Sequence, residues 1–295
     1  MSDLSTSYMG VKLSNPIIVG ACSLTANIDS IRQIEEAGAG ALVTQSLFEE
    51  QIQLEQIKFD EDQHKYDNRY AEMITVTPPA EHGGPQQHLM WVREAKKAVS
   101  IPVFASLNAV NRDTWVDYAR RLEDVGVDGL ECNLYRFPPD PWKPGGEIEN
   151  DQVDLVYNVT EAVDIPIGVK LAPFYTNTVS VIKRLDSVGV SGLVLFNRMF
   201  EPDIDTTQLK HIRPINLSGV NDGRLPLRFA GLLYGAIQAD ICCSGGISTG
   251  DQVVKMLLAG ADTVQTVSAL YRYGIPHIRA MREGLEAWMT SKVHP

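Results

Sequence analysis

Four segments of this chain share one pattern, and this repeat constrains the fold more than any other feature. In each segment an amphipathic stretch ends at a glycine, and a short turn leads into an apolar run. The glycine is typical of the residue after a helix, where a positive φ avoids a Cβ clash. The apolar run is typical of a strand buried on both faces. The four segments are 35–46, 123–133, 186–197 and 258–269.

A second set of apolar runs alternates with the first. Three of the four carry a proline at their start, where a strand needs no ladder donor. Together the two sets predict eight strands, at 15–20, 41–45, 101–106, 129–134, 166–171, 192–197, 240–244 and 263–267. Helical patterns fill most of the gaps, at 27–37, 86–99, 111–125, 148–163, 177–188, 226–237, 249–259 and 275–290.

Eight strands, each followed by a helix, predict a (β/α)8 TIM barrel. An open doubly wound sheet fits less well, because the regular spacing gives no reason for a sheet edge. The interval after the second strand is long, and we interpret 47–85 as an extended loop whose turn-rich end is a candidate lid. A second insertion is predicted at 198–225. No linker interrupts the pattern, so residues 1–295 are predicted to form one domain.

Net charge, apolar windows and cysteine spacing limit the functions and locations that this chain can have. The net charge of −11 argues against nucleic acid as a partner, since phosphate binding needs a basic patch. No window is apolar enough for a membrane span, and the first residues lack the features of a leader, which predicts a cytoplasmic protein. The four cysteines form no CxxC pair, so we expect buried free thiols and neither a metal site nor an iron–sulfur cluster in this chain.

The chemistry of a TIM barrel sits at the carboxyl ends of its strands. In this chain those ends carry small or polar residues, and the site is expected among them. They are Ala21, Cys22, Gln45, Ser46, Asn108, Asn133, Tyr135, Arg136, Lys170, Asn197, Ser244, Gly245, Gly246, Val267 and Ser268.

Two glycines follow the seventh strand and indicate a phosphate site. Backbone amides at Gly245 and Gly246 can close on a phosphate, and barrels commonly hold one between loops seven and eight. Ser268 follows the eighth strand and adds a hydroxyl. The alternative is a tight turn that needs glycine for geometry alone.

Lys170 lies inside an otherwise apolar strand. A buried ammonium is costly without a partner, so the side chain must point into the barrel mouth and find one. One interpretation pairs it with Glu131, and the other places it beside an anionic ligand. Asn133 shares the face of Glu131, and we expect both to meet Lys170.

Several motifs at these strand ends resemble one family over nearly the whole chain. LSNPIIVGACSLT resembles the family's opening NP-x4-AS-G strand, ALVTQS its TKS segment and GLECNLY the start of its ELNLSCPN segment. VKLAPF is similar to VKLPP, and LFN to VNS. The most specific match is CSGGISTGDQVVKMLLAGADTVQTVSALY, which is similar to the GTGGI and GTAL stretch. The family is that of dihydroorotate dehydrogenases, which are FMN-binding (β/α)8 barrels.

The resemblance implies roles for the strand-end residues and a small-molecule substrate. Asn133, Lys170 and Asn197 would contact the flavin or the substrate. The ribityl phosphate would be held by Ser218, Gly219, Gly245, Gly246, Val267 and Ser268. The ring would be lined by Ala21, Cys22, Gln45 and Ser46, and Asn108 and Ser244 are further candidates for cofactor binding. Family members of this length are often homodimers, which we extend to this chain as an expectation.

Two departures from the family pattern concern chemistry. The family's second-strand lysine is Gln45 here, which removes a cation from the flavin ring. Tyr135 and Arg136 occupy the position of the Ser-Cys pair that carries the catalytic base, whereas Cys132 points to the opposite strand face. Tyr135 is a candidate acid, and Arg136 can hold a carboxylate.

Other assignments stay open at this point. Arg136 capping Asp140 on a surface loop is the alternative to a catalytic role. His82 and His88 are further candidate proton donors. Three functions are therefore weighed: an FMN-dependent oxidoreductase acting on a small carboxylated or pyrimidine-like substrate, a true dihydroorotate dehydrogenase with a displaced base, and a flavin-binding barrel without catalysis.

Overall fold

The computed structural model describes residues 3–48, 85–108, 112–134, 141–198, 203–212 and 217–293. The chain begins with an antiparallel hairpin of β1 (Thr6–Tyr8) and β2 (Val11–Leu13). The eight barrel strands are β3 (Ile17–Val19), β4 (Ala41–Val43), β6 (Val103–Asn108), β7 (Gly129–Leu134), β8 (Ile167–Leu171), β9 (Gly192–Leu195), β12 (Asp240–Ser244) and β13 (Thr263–Thr266).

These eight strands are parallel and close into a ring. Chain neighbours pair around the ring, β13 pairs with β3, and β4 pairs with β6. Every predicted strand is present, although several are shorter than predicted. The closed ring confirms the (β/α)8 barrel and excludes the open sheet.

Helices surround the ring as predicted, with ends shifted by a few residues. They are α1 (Ile28–Glu36), α2 (Pro85–Ala98), α3 (Arg112–Val125), α4 (Gly145–Thr160), α5 (Thr178–Ser187), α6 (Arg224–Leu233), α7 (Gly250–Leu258), α8 (Ser268–Tyr273) and α9 (His277–Val293). The short α8 was not predicted. It precedes α9, which the sequence pattern indicated.

The repeat glycines have the predicted conformation. Gly38, Gly126, Gly189 and Gly260 all have φ between +88° and +109°. Each ends a helix and turns the chain back toward a strand. This repeat therefore sets the direction of the βα units, with every strand's carboxyl end at the same end of the barrel.

The main core lies between the strands and the helices. Leu130 on β7 and Leu193 on β9 are fully buried in one cluster with Leu122 of α3 and Leu185 of α5. Cys132 belongs to the same cluster, so it faces outward from the barrel, as predicted. This packing uses one face of each strand and leaves the other face for the barrel interior.

The amino-terminal end of the barrel interior is closed by the hairpin, which the sequence pattern did not reveal. Tyr8 and Met9 pack with Phe104 and Val194 in a second buried cluster. A Cβ at Gly168 or Gly192 would lie 2.7 Å from a Met9 side-chain atom, so the two glycines make room for the hairpin. The opposite end of the barrel is left for a site.

The two long intervals contain regular structure. The first begins with β5 (Leu47–Phe48), which pairs with β6, and residues 49–84 lie outside the described residues. The second, 198–225, contains the antiparallel hairpin of β10 (Asp203–Asp205) and β11 (Lys210–Ile212). It ends with a 3-10 turn at Val220–Gly223 that leads into α6. Within the described ranges, no helix is both long enough and apolar enough to cross a bilayer.

Candidate functional site at the carboxyl ends of the strands

Three polar side chains meet inside the barrel near the carboxyl ends of its strands. Lys170 on β8 donates from Nζ to Gln265 Oε1 on β13 at 3.0 Å and contacts Glu131 Oε1 on β7 at 3.4 Å. Gln265 Nε2 donates to Glu131 Oε2. Strands β7 and β13 lie opposite each other in the eight-strand ring, so these side chains bridge the interior.

The three side chains form a buried layer. The exposed fractions of Lys170, Glu131 and Gln265 are 8, 3 and 1%. Burial of a charge is tolerated when it is paired and hydrogen-bonded, which explains why one amide and two charges occur together here. The predicted pairing of Lys170 with Glu131 is confirmed. A contact of Lys170 with a ligand stays a prediction.

Asn133 lies beside Lys170 on the neighbouring strand, and its side chain binds Asn197. Its Oδ1 accepts a hydrogen bond from Asn197 Nδ2 at 2.8 Å, although Asn133 and Lys170 are register neighbours on β7 and β8. Two residues predicted to contact the same ligand are thus brought together. Their amides leave further donor and acceptor capacity at the mouth.

Hydroxyl groups line another part of the mouth. Ser46, after β4, and Ser106 on β6 lie 2.8 Å apart between their Oγ atoms. Thr44 Oγ1 accepts from the Ser106 amide at 3.3 Å. The half-buried Gln45 lies between Thr44 and Ser46 in the chain, so it follows the end of β4, as expected.

The segments predicted to hold a phosphate converge. Ser218 Oγ donates to Ser268 Oγ at 2.9 Å, and the Ser218 amide donates to the same oxygen at 3.0 Å. The Gly246 amide donates to Ser218 Oγ at 3.1 Å. Gly246 has φ +69°, and a Cβ there would lie 2.4 Å from Gly219 O. Glycine at this position therefore permits the close approach of the two backbones.

Backbone amides at Gly245 and Gly246 were expected to be bare, and this is wrong for Gly246. The Gly246 amide is bonded to Ser218 Oγ, and the Gly219 amide donates to Asp222 Oδ2 at 2.6 Å. Asp222 also pairs with Arg198 Nη1 at 2.8 Å. Partial burial raises the pKa of Asp222, but the Gly219 amide and Arg198 outweigh it and hold the pKa below its usual value. The carboxylate is therefore charged, and Arg198 offsets its charge.

The sequence reasoning missed two residues that stabilise different parts of the mouth, Arg272 at the phosphate corner and Gln265 in the buried layer. Arg272 on α8 donates through Nη1 to Ser218 O at 2.6 Å and through Nη2 to Leu217 O at 2.9 Å, which fixes the serine segment. Gln265 stands inside the apolar run of the eighth strand. A polar residue there was a readable signal of the same kind as Lys170.

The first barrel strand ends against the eighth. A Cβ at Gly20 would lie 3.0 Å from both Gln265 Oε1 and Val267 Cγ2. Ala21 and Cys22 follow and are half-buried. Burial raises the pKa of the Cys22 thiol, so this group is neutral near neutral pH. All four cysteines are free thiols, and Cys22 alone among them is not fully buried.

Further predicted residues fall into three groups. Asn108 ends β6, Ser244 ends β12, and both are half-buried at the mouth end of the barrel. Tyr135, Arg136, Asp140 and His82 lie outside the described residues. His88 lies on α2 and packs against Trp91, with a centroid distance of 5.8 Å between the two rings.

The mouth therefore offers hydrogen-bond donors and acceptors around one buried ion pair. Such an arrangement can bind and orient a polar, planar ligand with a phosphate tail. In the part of the chain that the structure describes, no group of three or more His, Cys, Asp or Glu side chains is placed to hold a metal ion.

Comparison with known proteins agrees with the geometry. The chain is 27% identical to a dihydroorotate dehydrogenase B (NAD(+)) catalytic subunit of Thermoplasma volcanium, over 98% of this chain and 94% of the relative. It is 24% identical to the corresponding protein of Methanocaldococcus jannaschii, over 92% and 88%. A dihydroorotate dehydrogenase A (fumarate) of Lactobacillus delbrueckii subsp. bulgaricus is 29% identical over 58% and 57%.

A sequence model of the family described as Dihydroorotate dehydrogenase matches residues 3–289. The match spans all eight barrel strands and every residue of the mouth named above. This chain therefore belongs to the dihydroorotate dehydrogenase family, whose members are oxidoreductases acting on CH–CH bonds.

Proposed function

We propose that this chain is an FMN-dependent oxidoreductase that transfers hydride between a flavin and a small carboxylated or pyrimidine-like substrate. The observation that carries the proposal is the convergence of Ser218, Gly246 and Ser268 at one corner of the mouth, with the buried Lys170 inside the barrel. A bound flavin supplies the hydride chemistry, and the protein supplies orientation and a proton path.

The phosphate corner fits the tail of a flavin nucleotide. The hydroxyl oxygens of Ser218 and Ser268 are 2.9 Å apart. The Gly246 amide donates to the Ser218 hydroxyl, and Arg272 binds the Ser218 carbonyl. Hydroxyl and amide donors are suitable partners for a phosphate oxygen. We assign the phosphate to Ser218, Gly219, Gly245, Gly246, Val267 and Ser268.

The ring is assigned to the polar groups around Lys170. Asn133 and Asn197 form a hydrogen-bonded pair, and Ser46 lies beside Ser106. These groups can donate to the carbonyl and ring-nitrogen acceptors of a flavin or to the substrate. Ala21, Cys22, Gln45, Asn108 and Ser244 complete the assigned cofactor site.

Tyr135 and Arg136 follow β7 in the chain, and we assign proton transfer and substrate binding to this pair. A phenol can serve as an acid near the flavin, and a guanidinium binds a carboxylate in a bidentate manner. Arg136 is not assigned as a base, because its pKa exceeds about 12. We also propose a homodimer with a cytoplasmic site of action.

An absorption spectrum of the purified protein tests the cofactor. We expect a yellow protein that releases one FMN per chain on denaturation. Lys170→Ala should lose reduction of the flavin by substrate. A colourless protein that takes up no added FMN would contradict the proposal.

Dihydroorotate is the second candidate substrate, favoured by the names of the relatives. Dihydroorotate oxidation with NAD, fumarate or a quinone dye as acceptor should be measured on the flavin-loaded protein. Turnover that falls strongly in Tyr135→Phe would assign Tyr135 as the displaced acid–base group. A full flavin load without turnover rejects dihydroorotate, and a photoreduced flavin that resists every acceptor favours a flavin-binding protein without catalysis.

A further inference from the structure

The buried layer of Lys170, Glu131 and Gln265 is closed on itself. Glu131 directs one carboxylate oxygen to Lys170 and the other to the Gln265 amide, and the Gln265 carbonyl accepts from Lys170. The ammonium thus has two acceptors at 3.0 and 3.4 Å, and an ammonium has three N–H donors. Among the described residues this leaves one N–H donor for a ligand.

The layer has no net charge, because the carboxylate cancels the ammonium. Two further residues after strand ends, Gln45 and Arg198, leave this balance unchanged. Gln45 stands where the family pattern has a lysine, and Arg198 is paired with Asp222 at 2.8 Å. The layer is more than nine-tenths buried, so solvent screens these charges little. Removal of either charge therefore changes the electrostatic potential at the mouth.

We propose that Glu131 is a positioning residue that acts through Lys170. From the neighbouring strand β7 it holds the ammonium in place and cancels its charge. A bound flavin then meets a hydrogen-bond donor that belongs to a neutral group of side chains. Flavin gains negative charge on reduction, and a net cation would favour the reduced form. Glu131 therefore keeps the reduction potential of the flavin low. This inference rests on the proposed function.

The test is a charge series in the flavin-loaded protein. Glu131→Gln leaves the layer at +1, Lys170→Met leaves it at −1, and the double variant restores neutrality. The reduction potential of the bound flavin is measured by equilibration with a reference dye. We expect it to rise in Glu131→Gln, to fall in Lys170→Met and to return close to wild type in the double variant.

The size of each shift follows from relative affinities. We expect each single variant to change the ratio of affinities for reduced and oxidised flavin about tenfold, which is about 30 mV for a two-electron couple. Glu123→Gln is the matched control. Glu123 is also a carboxylate that accepts two hydrogen bonds, but its donors are the backbone amides of Asp164 and Ile165, which precede β8. Its loss should leave the potential unchanged.

If Glu131 had only a structural role, every variant would bind flavin less tightly, and the potentials would not shift in opposite directions. Shifts of opposite sign with a restored double variant support the inference. The inference is overturned if the reduction potential is unchanged in Glu131→Gln. It is also overturned if the double variant has the same potential as either single variant. If Glu131→Gln fails to fold, the pair of Lys170→Met and the double variant decides by the same criterion. A wild-type protein that takes up no flavin overturns the proposed function, and this inference falls with it.

Discussion

At the scale of single residues, polarity inside apolar strands was the informative signal. Lys170 was identified because an ammonium cannot be buried without a partner, and the structure supplies Glu131 and Gln265. The hydrogen bond between Asn133 and Asn197 was not predicted. Register brings Asn133 beside Lys170, but its side chain binds Asn197, and only the packed barrel decides between such neighbours.

Gln45 offers a prediction about charge. Gln45→Lys places a cation after β4, near the assigned flavin ring, and a cation favours the reduced flavin. We expect a more positive reduction potential, with the affinity ratio for reduced over oxidised flavin increased roughly tenfold. Gln45→Met is the neutral control and should stay near wild type. An equal shift in both variants would show that size and not charge is responsible.

Gly246 offers a prediction about space. In Gly246→Ala the new Cβ would lie 2.4 Å from Gly219 O and 2.5 Å from Gly223 N, so the phosphate corner must open. We expect FMN affinity, measured by fluorescence titration, to fall at least about tenfold, the equivalent of about 1.4 kcal/mol.

Gly235→Ala is the control for backbone strain. Gly235 has φ +68°, close to the +69° of Gly246, but no atom lies within 4 Å of its added Cβ. It should lose only about 1 kcal/mol of stability and keep its FMN affinity. Unchanged FMN affinity in Gly246→Ala would mean that the phosphate is held elsewhere.

At the scale of elements, the helix–glycine–strand repeat was a reliable guide because each unit is specified locally. Two of the four repeats place an aspartate before the strand. Asp128 accepts from the Val103 amide and Asp262 from the Ile241 amide, both at 2.7 Å, so each ties its strand to the preceding one. The short strands β10 and β11 and the helix α8 lacked a pattern long enough to be recognised.

Helix α2 carries a prediction about pH. Burial lowers the pKa of His88 to about 4, and its Nε2 has no hydrogen-bond partner among the described residues. The unfolded state, with an ordinary pKa of about 6.5, binds the proton more readily. The free energy of unfolding should therefore fall as the pH decreases from about 6.5 to about 4, by roughly 2–3 kcal/mol.

Urea unfolding at several pH values measures this dependence. His88→Leu lacks the titrating group, so the difference in stability between wild type and variant should change across that window and stay constant above pH 7. A difference that is independent of pH would show that His88 is protonated equally in the folded and unfolded states. Carboxylates titrate in both proteins, so their contributions to the pH dependence of stability cancel in the comparison.

At the scale of the whole molecule, the hairpin and the barrel form one packed unit. Met9 lies in the interior against Gly168 and Gly192, and its amide donates to Asp240 Oδ2 at 2.6 Å. These partners come from the middle and the end of the chain. The hairpin thus joins the first residues to the second half of the barrel.

Met9→Ala should leave a cavity at the closed end of the barrel. We expect a loss of about 2–5 kcal/mol in the free energy of unfolding, measured by urea denaturation. Met90→Ala, at a side chain that is 66% exposed on α2, should change it by less than about 0.5 kcal/mol. Equal losses in the two variants would show that the hairpin contributes little to the interior.

The sequence by itself determined the eight strands, the order of helices and strands, the end of the barrel that carries the site, and the residues that follow each strand. These features are local, because glycine conformation, apolar periodicity and buried charge act over a few neighbouring residues. The tertiary structure decided the rest. It placed the hairpin that closes the barrel, paired Glu131 with Gln265 across the interior, and brought the Ser218 hydroxyl to accept a hydrogen bond from the Gly246 amide. Ser218 and Gly246 are 28 positions apart in the chain, and Glu131 and Gln265 are 134 positions apart. Only closure of the ring brings such distant residues together.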